Sequence, residues 1–222
     1  NTPVGFDVDY CKDLAKALGV EPVIVETPFP DRIPALLSGR ADVGVSSTSD
    51  TLERAKSIGF SIPYFVFKTM VVTRKDAGIN KFDDLKGRPV GGTAGNFETL
   101  ALQKAVTGWN DPKAKFRSFQ NQADVFLALS QKQIDATAVT NTVAASVVKT
   151  DKSGNLKIAG EAPFDLDYVS LIPLRNEQGL LNYLNLFVNR QVRTGRYAEL
   201  YKQWIGTEGG PAPDLANPAV YR

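Results

Sequence analysis

The chain has 222 residues, 43% hydrophobic and 23% charged, with 18 Gly and 13 Pro. That is the make-up of an ordinary folded protein of one or two domains, and it excludes a disordered or collagen-like chain. The 26 basic and 24 acidic residues leave a net charge of +2 and no clustered basic face to grip nucleic acid. No apolar run approaches the roughly 18 residues of a membrane span. With no His and a single Cys, Cys11, zinc sites built on His or Cys and every Ser–His or Cys–His nucleophile pair are excluded. Cys11 also lacks a partner for an intrachain disulfide, so cysteine usage is silent on redox compartment.

The chain opens Asn1-Thr-Pro-Val-Gly5, with neither a basic nor an apolar leader region. This fits a cytoplasmic protein or one whose leader has been removed. Val8, Cys11, Leu14, Ala15 and Leu18 follow helical spacing and Gly19 stops them, which predicts a first amphipathic helix. Val23–Val25 reads as a short strand, Arg32–Leu37 as a short helix and Val43–Ser46 as a buried strand. After the apolar, aromatic stretch Ile58–Phe67 comes a strand at Met70–Thr73. Pro89–Gly95 is a strand running into a glycine turn, and Asn96 then caps a helix reaching about Val106. Strands at Phe116–Phe119 and Ile134–Val139 flank a helix at Ala123–Leu129. A helix through Ala144 and Val148, strands at Leu156–Ile158 and Tyr168–Pro173, and helices at Gly179–Gln191 and Tyr197–Trp204 follow. The tail Gly206–Arg222, with three prolines and two adjacent glycines, reads as an extended surface segment. Such alternation predicts βαβ units and mostly parallel sheets.

Ala35-Leu-Leu-Ser-Gly-Arg-Ala-Asp42-Val is echoed by Ala128-Leu-Ser-Gln-Lys-Gln-Ile-Asp135-Ala. Each is a helix end, a polar turn and an Asp opening an apolar strand. Convergent helix–turn–strand units explain the echo. So do two similar α/β lobes, which would place a ligand site in the cleft separating them.

The densest polar run is Ser46-Ser-Thr-Ser-Asp50-Thr-Leu-Glu-Arg54, directly after a buried strand, where open α/β sheets bind ligands. Asp50 and Glu53 have capping-box spacing, so a helical turn is expected to start here. Backbone N–H groups, hydroxyls and Arg54 together would hold a carboxylate, which a guanidinium grips with two parallel hydrogen bonds. A surface Arg54 paired with Glu53 or Asp50 is the alternative.

Several stretches together resemble one family. They are Gly5-Phe-Asp-Val-Asp9, Asp31-Arg-Ile-Pro-Ala-Leu-Leu-Ser-Gly-Arg-Ala-Asp42, the Ser46–Arg54 run, Phe60-Ser-Ile-Pro-Tyr-Phe65 and Leu85-Lys-Gly-Arg-Pro-Val-Gly91. The chain is similar over nearly its whole length to polar amino-acid-binding solute-binding proteins of ABC importers (family 3, the type II periplasmic-binding-protein fold). The resemblance implies an α/β, two-lobed Venus flytrap fold with two crossing hinge strands, near Phe65–Met70 and Leu166–Ile172. Lobe 1 would be residues 1–67 with the return 170–222, and lobe 2 residues 68–169. It also implies that Arg54 clamps a ligand carboxylate with help from Ser47 and Ser49. Phe29 stands where members place an aromatic against the ligand. Arg32 stands where acidic-amino-acid binders reach a side-chain carboxylate, or else is a structural Arg of the helix start.

Lobe 2 departs from the family pattern. Gly95-Asn96-Phe97 replaces Gly-Thr-Thr or Gly-Ser-Thr, and Thr140, followed by Asn141, occupies the place of the Asp that accepts the ligand ammonium. Neutral acceptors favour a buried ammonium less than a carboxylate does, so a carboxylate ligand without an amine is also compatible. Ligand contacts are therefore expected from Arg54, Ser49, Ser47, Phe29, Arg32, Asn96, Phe97 and Thr140. Members also carry a lobe 1 strand ahead of Pro3-Val-Gly-Phe6 that this chain does not show. Truncation, cleavage, or a strand from another segment or chain would each account for that.

The implied function is non-enzymatic. An extracytoplasmic, periplasmic protein whose signal peptide has been removed captures an amino acid or related carboxylate and delivers it to the membrane permease of an ABC importer. No cofactor, metal or nucleic acid is expected, and the chain is expected to be a monomer unless another chain supplies the strand. The alternatives are a dehydratase-like enzyme on the same scaffold, with Glu98 or Asp50 as acid or base, and the ligand domain of a receptor or sensor.

Overall fold

The computed structural model describes residues 2–206; the tail beyond Gly206 lies outside the described residues. The chain divides into two compact units. The first is built from the described residues of Asn1–Thr27, Asp31–Val66 and Tyr168–Arg222, the second from Pro28–Pro30 and Phe67–Asp167.

The first unit opens with α1 (Phe6–Leu18), whose Phe6, Tyr10 and Leu14 recur at i, i+4 and form its buried stripe. Asp7 and Asp9 sit in its first turn, where the helix dipole favours negative charge, and Gly19 ends it at φ +74°. After α2 (Arg32–Leu37) come β1 (Val43–Ser49) and β2 (Pro63–Phe67); the chain later returns as β8 (Asp167–Pro173), α6 (Gln178–Arg193) and α7 (Arg196–Trp204). The sheet has three strands in the order β1-β8-β2, with β1 antiparallel to β8. Aromatic rings fill the core: Tyr10 stacks on Tyr64 at 5.1 Å, and Phe6 meets Tyr197 edge-on at 5.5 Å. Leu36, Ile58 and Ile172 form a second buried cluster.

The second unit holds a five-stranded sheet in the order β5-β4-β6-β3-β7. Its strands are β3 (Thr69–Arg74), β4 (Pro89–Thr93), β5 (Lys115–Phe119), β6 (Ala136–Thr140) and β7 (Leu156–Glu161). Its helices are α3 (Phe97–Gly108), α4 (Gln122–Ser130) and α5 (Asn141–Thr150). Val71 and Ala138 belong to the cluster under α3, their neighbours Val72 and Val139 to the cluster under α4 and α5. This is the alternation that a strand buried on both faces requires. A Cβ on Gly92 would come within 2.4 Å of the Thr99 hydroxyl, so glycine there lets α3 lie close on β4.

Three expectations need correction. The sheets are not mostly parallel: β4 runs parallel to β5 and β6, but β3 is antiparallel to both β6 and β7, and β1 to β8. β3 enters the five-stranded sheet from the other unit and not through a crossover helix within that sheet, so no βαβ unit sets it parallel to β6 or β7. Val23–Val25 is no strand; Val23 is 85% exposed, because among the described residues no neighbouring strand pairs with it. The turn after β1 is a three-residue 3-10 helix, Arg54–Lys56; its N-cap position is Glu53, which makes no capping bond, and the Arg54 N–H donates to the Thr51 hydroxyl at 3.3 Å.

Candidate functional site

In the first unit the polar run forms the end of β1 and the turn behind it. The Arg54 Nη1 donates to the Ser49 carbonyl at 3.1 Å, which fixes a half-buried guanidinium beside the strand it follows. Ser49 and Thr48 are 2% exposed. The Asp50 N–H donates to the Tyr168 carbonyl on β8, and burial pushes the Asp50 carboxyl up to about 6. A three-residue turn offers no row of N–H groups of the kind a longer helix start presents.

Ser47 is held in an uncommon conformation. Its φ is +49°, and its backbone N–H donates to the Tyr64 hydroxyl at 2.9 Å. Its own hydroxyl donates to Asp7 at 3.0 Å, and the Tyr64 hydroxyl donates to the other Asp7 oxygen at 2.8 Å. Burial raises the Asp7 carboxyl above the usual carboxylate range, although both hydrogen bonds and the nearby Arg32 charge oppose the rise. Arg32 itself donates to the Ser46 carbonyl. Asp7, Tyr64 and Arg32 thus brace the bend at Ser46–Ser47. Asp7 and Tyr64 were not singled out from the sequence as functional, although both stand inside stretches that carry the family resemblance.

In the second unit the helices after the parallel strands begin at the carboxyl end of the sheet. Gly95, at φ +79°, makes the turn from β4 into α3, and the Phe29 ring lies 3.7 Å from where a Cβ would stand on it. Asn96 sits at the cap position of α3 without capping it; its Nδ2 donates to Glu98 at 3.0 Å instead. Its Oδ1 is buried with no hydrogen-bond partner among the described residues, as is Gln122 Nε2. A buried orphan polar atom is costly, on the order of 1–3 kcal/mol, and such atoms mark places where a ligand or water fits. Phe97 is half-buried and Glu98 is 5% exposed. The Thr140 hydroxyl accepts from the Val143 N–H at 3.5 Å as the cap of α5. The Asn141 Oδ1 accepts from the Lys68 N–H at 3.3 Å.

So Arg54, Ser49, Ser47 and Arg32 gather around the end of β1 in one unit. Asn96, Phe97 and Thr140 belong to the starts of α3 and α5 at the carboxyl ends of β4 and β6 in the other, and Phe29, from the short 3-10 turn Phe29–Asp31, packs beside Gly95 there. Two α/β units linked at Val66–Phe67 and Asp167–Tyr168, with polar turns at strand ends and no histidine for nucleophilic chemistry, are the architecture of a two-lobed periplasmic-binding-protein fold.

Comparison with known proteins makes this specific. Residues 1–207 match the model of the bacterial extracellular solute-binding proteins, family 3, and the chain belongs to that family. It is 29% identical over 205 residues to the ABC transporter glutamine-binding protein of Bacillus subtilis (strain 168), covering 90% of this chain and 72% of that protein. It is 28% identical over 209 residues to an ABC transporter arginine-binding protein of Escherichia coli (strain K12), covering 92% and 83%. Among solved structures, an ancestral arginine-binding protein bound to arginine superposes with a TM-score of 0.84 at 32% identity, covering 91% of this chain and 88% of that one. An ancestral amino acid-binding protein described as a precursor of cyclohexadienyl dehydratase gives 0.79 at 30% identity, covering 91% and 86%.

Proposed function

We propose that this protein captures an amino acid by its carboxylate, without chemistry, in the periplasm and hands it to the permease of an ABC importer. The observation that carries the reading is Arg54, tethered to the Ser49 carbonyl with its guanidinium half-buried beside buried hydroxyls. A guanidinium so fixed is preorganised for the two parallel hydrogen bonds that a planar carboxylate accepts, which lowers the entropy lost on binding. The relatives' names point the same way. The same reading makes Phe29, Asn96, Phe97 and Thr140 ligand contacts. A thermal-shift screen of the common amino acids and of amine-free carboxylates tests it, since a ligand of the native state raises the melting temperature. No shift with any amino acid, or turnover of a bound carboxylic acid, would defeat it.

A second reading, an amine-free carboxylate ligand, is favoured by Thr140. Its hydroxyl is engaged in capping α5, and it carries no charge for an ammonium. Thr140→Asp separates the two. Tighter amino-acid binding by the variant supports an amino-acid ligand, whereas weaker binding of the native ligand supports the amine-free one, because a new buried charge would face no partner.

A further inference from the structure

The bend at Ser47 is held in a way that the sheet alone does not require. β1 pairs with β8 at Val43–Gly44 and again at Thr48–Ser49, but Gly44 to Thr48 spans four steps while Ile172 to Ser170 spans two, so β1 bulges between them. Inside the bulge Ser47 takes the left-handed conformation at φ +49°, which a residue with a Cβ adopts only against steric crowding. Three elements meet to hold it there. Asp7 comes from the first turn of α1 and Tyr64 from β2, where Tyr10 and Phe6 stack against the Tyr64 ring at 5.1 Å and 6.5 Å. The Ser47 N–H donates to the Tyr64 hydroxyl, that hydroxyl donates to one Asp7 oxygen, and the Ser47 hydroxyl donates to the other. Backbone and side chain of Ser47 are thereby tied to one carboxylate. A carboxylate suits because it accepts on both oxygens, whereas an amide would turn an NH2 donor toward one of the two hydroxyls. Withdrawing such a charge from water is itself unfavourable, so stability alone does not account for Asp7.

Building on the capture reading above, we propose that Asp7, with Tyr64 as its relay, is a positioning residue of the ligand site, holding Ser47 in the left-handed bend from which β1 presents Ser49 and the Arg54 tether. Asp7 acts through Ser47 and not on the ligand. The bend sets the direction in which β1 leaves the bulge, and two residues later the Ser49 carbonyl takes the Arg54 guanidinium. With the brace in place the strained conformation already exists in the free protein, and binding does not have to impose it. Without the brace Ser47 relaxes out of the left-handed region, and the ligand has to restore the bend, which weakens its binding.

The test is a double-mutant cycle, because glycine adopts the same φ without crowding and needs no brace. The probes are the common L-amino acids, screened by thermal shift and titrated by calorimetry where they bind. Asp7→Asn is expected to weaken their binding about tenfold, the scale of the left-handed penalty for a residue with a Cβ. In the Ser47→Gly background the same replacement is expected to weaken it less than about threefold, because the penalty is gone. Tyr64→Phe removes the relay and should repeat the pattern, which keeps the cycle usable if Asp7→Asn does not fold. Without any probe, exchange of the Ser47 amide is expected to speed about tenfold in Asp7→Asn, since its hydrogen bond loses its support. Equal losses in both backgrounds would overturn the proposal. So would an Asp7→Asn protein that melts lower yet binds as tightly as the parent, because the brace would then serve stability alone. A parent chain that binds no amino acid defeats the capture reading and this role with it, and the exchange of Ser47 shows separately whether the brace was real.

Discussion

In the second unit each face of the sheet has its own apolar cluster, and β6 and β3 are flanked by strands on both sides. In the first unit the core is a stack of aromatic rings between α1, α6, α7 and β2, while β1 borders an open cavity. Yet β1 carries the best-formed part of the candidate site. The contrast teaches that a site held by side-chain tethers can sit on a strand whose own pairing is incomplete. Arg54 is tied to Ser49, and Ser47 to Asp7 and Tyr64, by bonds that ask nothing of the open edge.

The largest expected effect strikes the closed unit. Arg74, 6% exposed, donates to Asp135 and to the carbonyls of Leu129 and Ile134. Arg74→Met strips the partly buried Asp135 carboxylate and the Leu129 and Ile134 carbonyls of their donor, and should destabilise the second unit by about 3–5 kcal/mol in urea unfolding. A loss under about 1 kcal/mol would show that Arg88, 3.6 Å from the other Asp135 oxygen, is a sufficient partner.

Truncation of a leucine sharpens the comparison directly. Leu102, fully buried under the closed sheet, and Leu14, 4% exposed beside the cavity, are the pair to use. Leu→Ala costs about 2–5 kcal/mol, and Leu102→Ala belongs at the top of that range and Leu14→Ala at the bottom, where neighbours are already missing. Equal losses in denaturant titrations would mean that the two units are equally well packed.

Binding comes next. Arg54→Lys keeps the charge but loses the planar fork, and should weaken ligand binding by about 1.5–3 kcal/mol by calorimetry. Unchanged affinity would remove Arg54 from the proposed contacts.

The smallest effect concerns pH. The Asp50 carboxyl is raised in the folded state to about 6, so the folded state binds its proton more tightly than the unfolded chain does. Its stabilising contribution is complete below the unfolded value of 3.8 and is lost as pH rises through about 6. Asp7 acts in the same direction. Melting temperatures of Asp50→Asn measured from pH 4 to 7 should fall less than those of the parent; identical slopes would place the Asp50 side chain in water.

Much of the element order was legible because its signals are local. Helical spacing closed by Gly19 marked α1, and the glycines before Asn96 marked the turn into α3. Ser47 shows what was not legible. Its hydroxyl was expected beside a ligand, but its positive φ and its bond to Asp7 depend on a partner 40 residues away. Asn96 was expected to cap α3, but Glu98 two residues on takes its amide, a competition between neighbours that residue type does not resolve.

By itself the sequence determined the chemical inventory and the local elements. The absence of histidine excludes whole classes of catalysis, and apolar periodicity places helices and strands, because both depend only on residue identity and near neighbours. Tertiary structure alone decided which strands are antiparallel, how Asp7, Tyr64 and Arg32 brace Ser46 and Ser47, and that Val23–Val25 stays out of the sheet. A strand exists only when a second strand takes its hydrogen bonds, and no stretch of sequence carries its partner within itself.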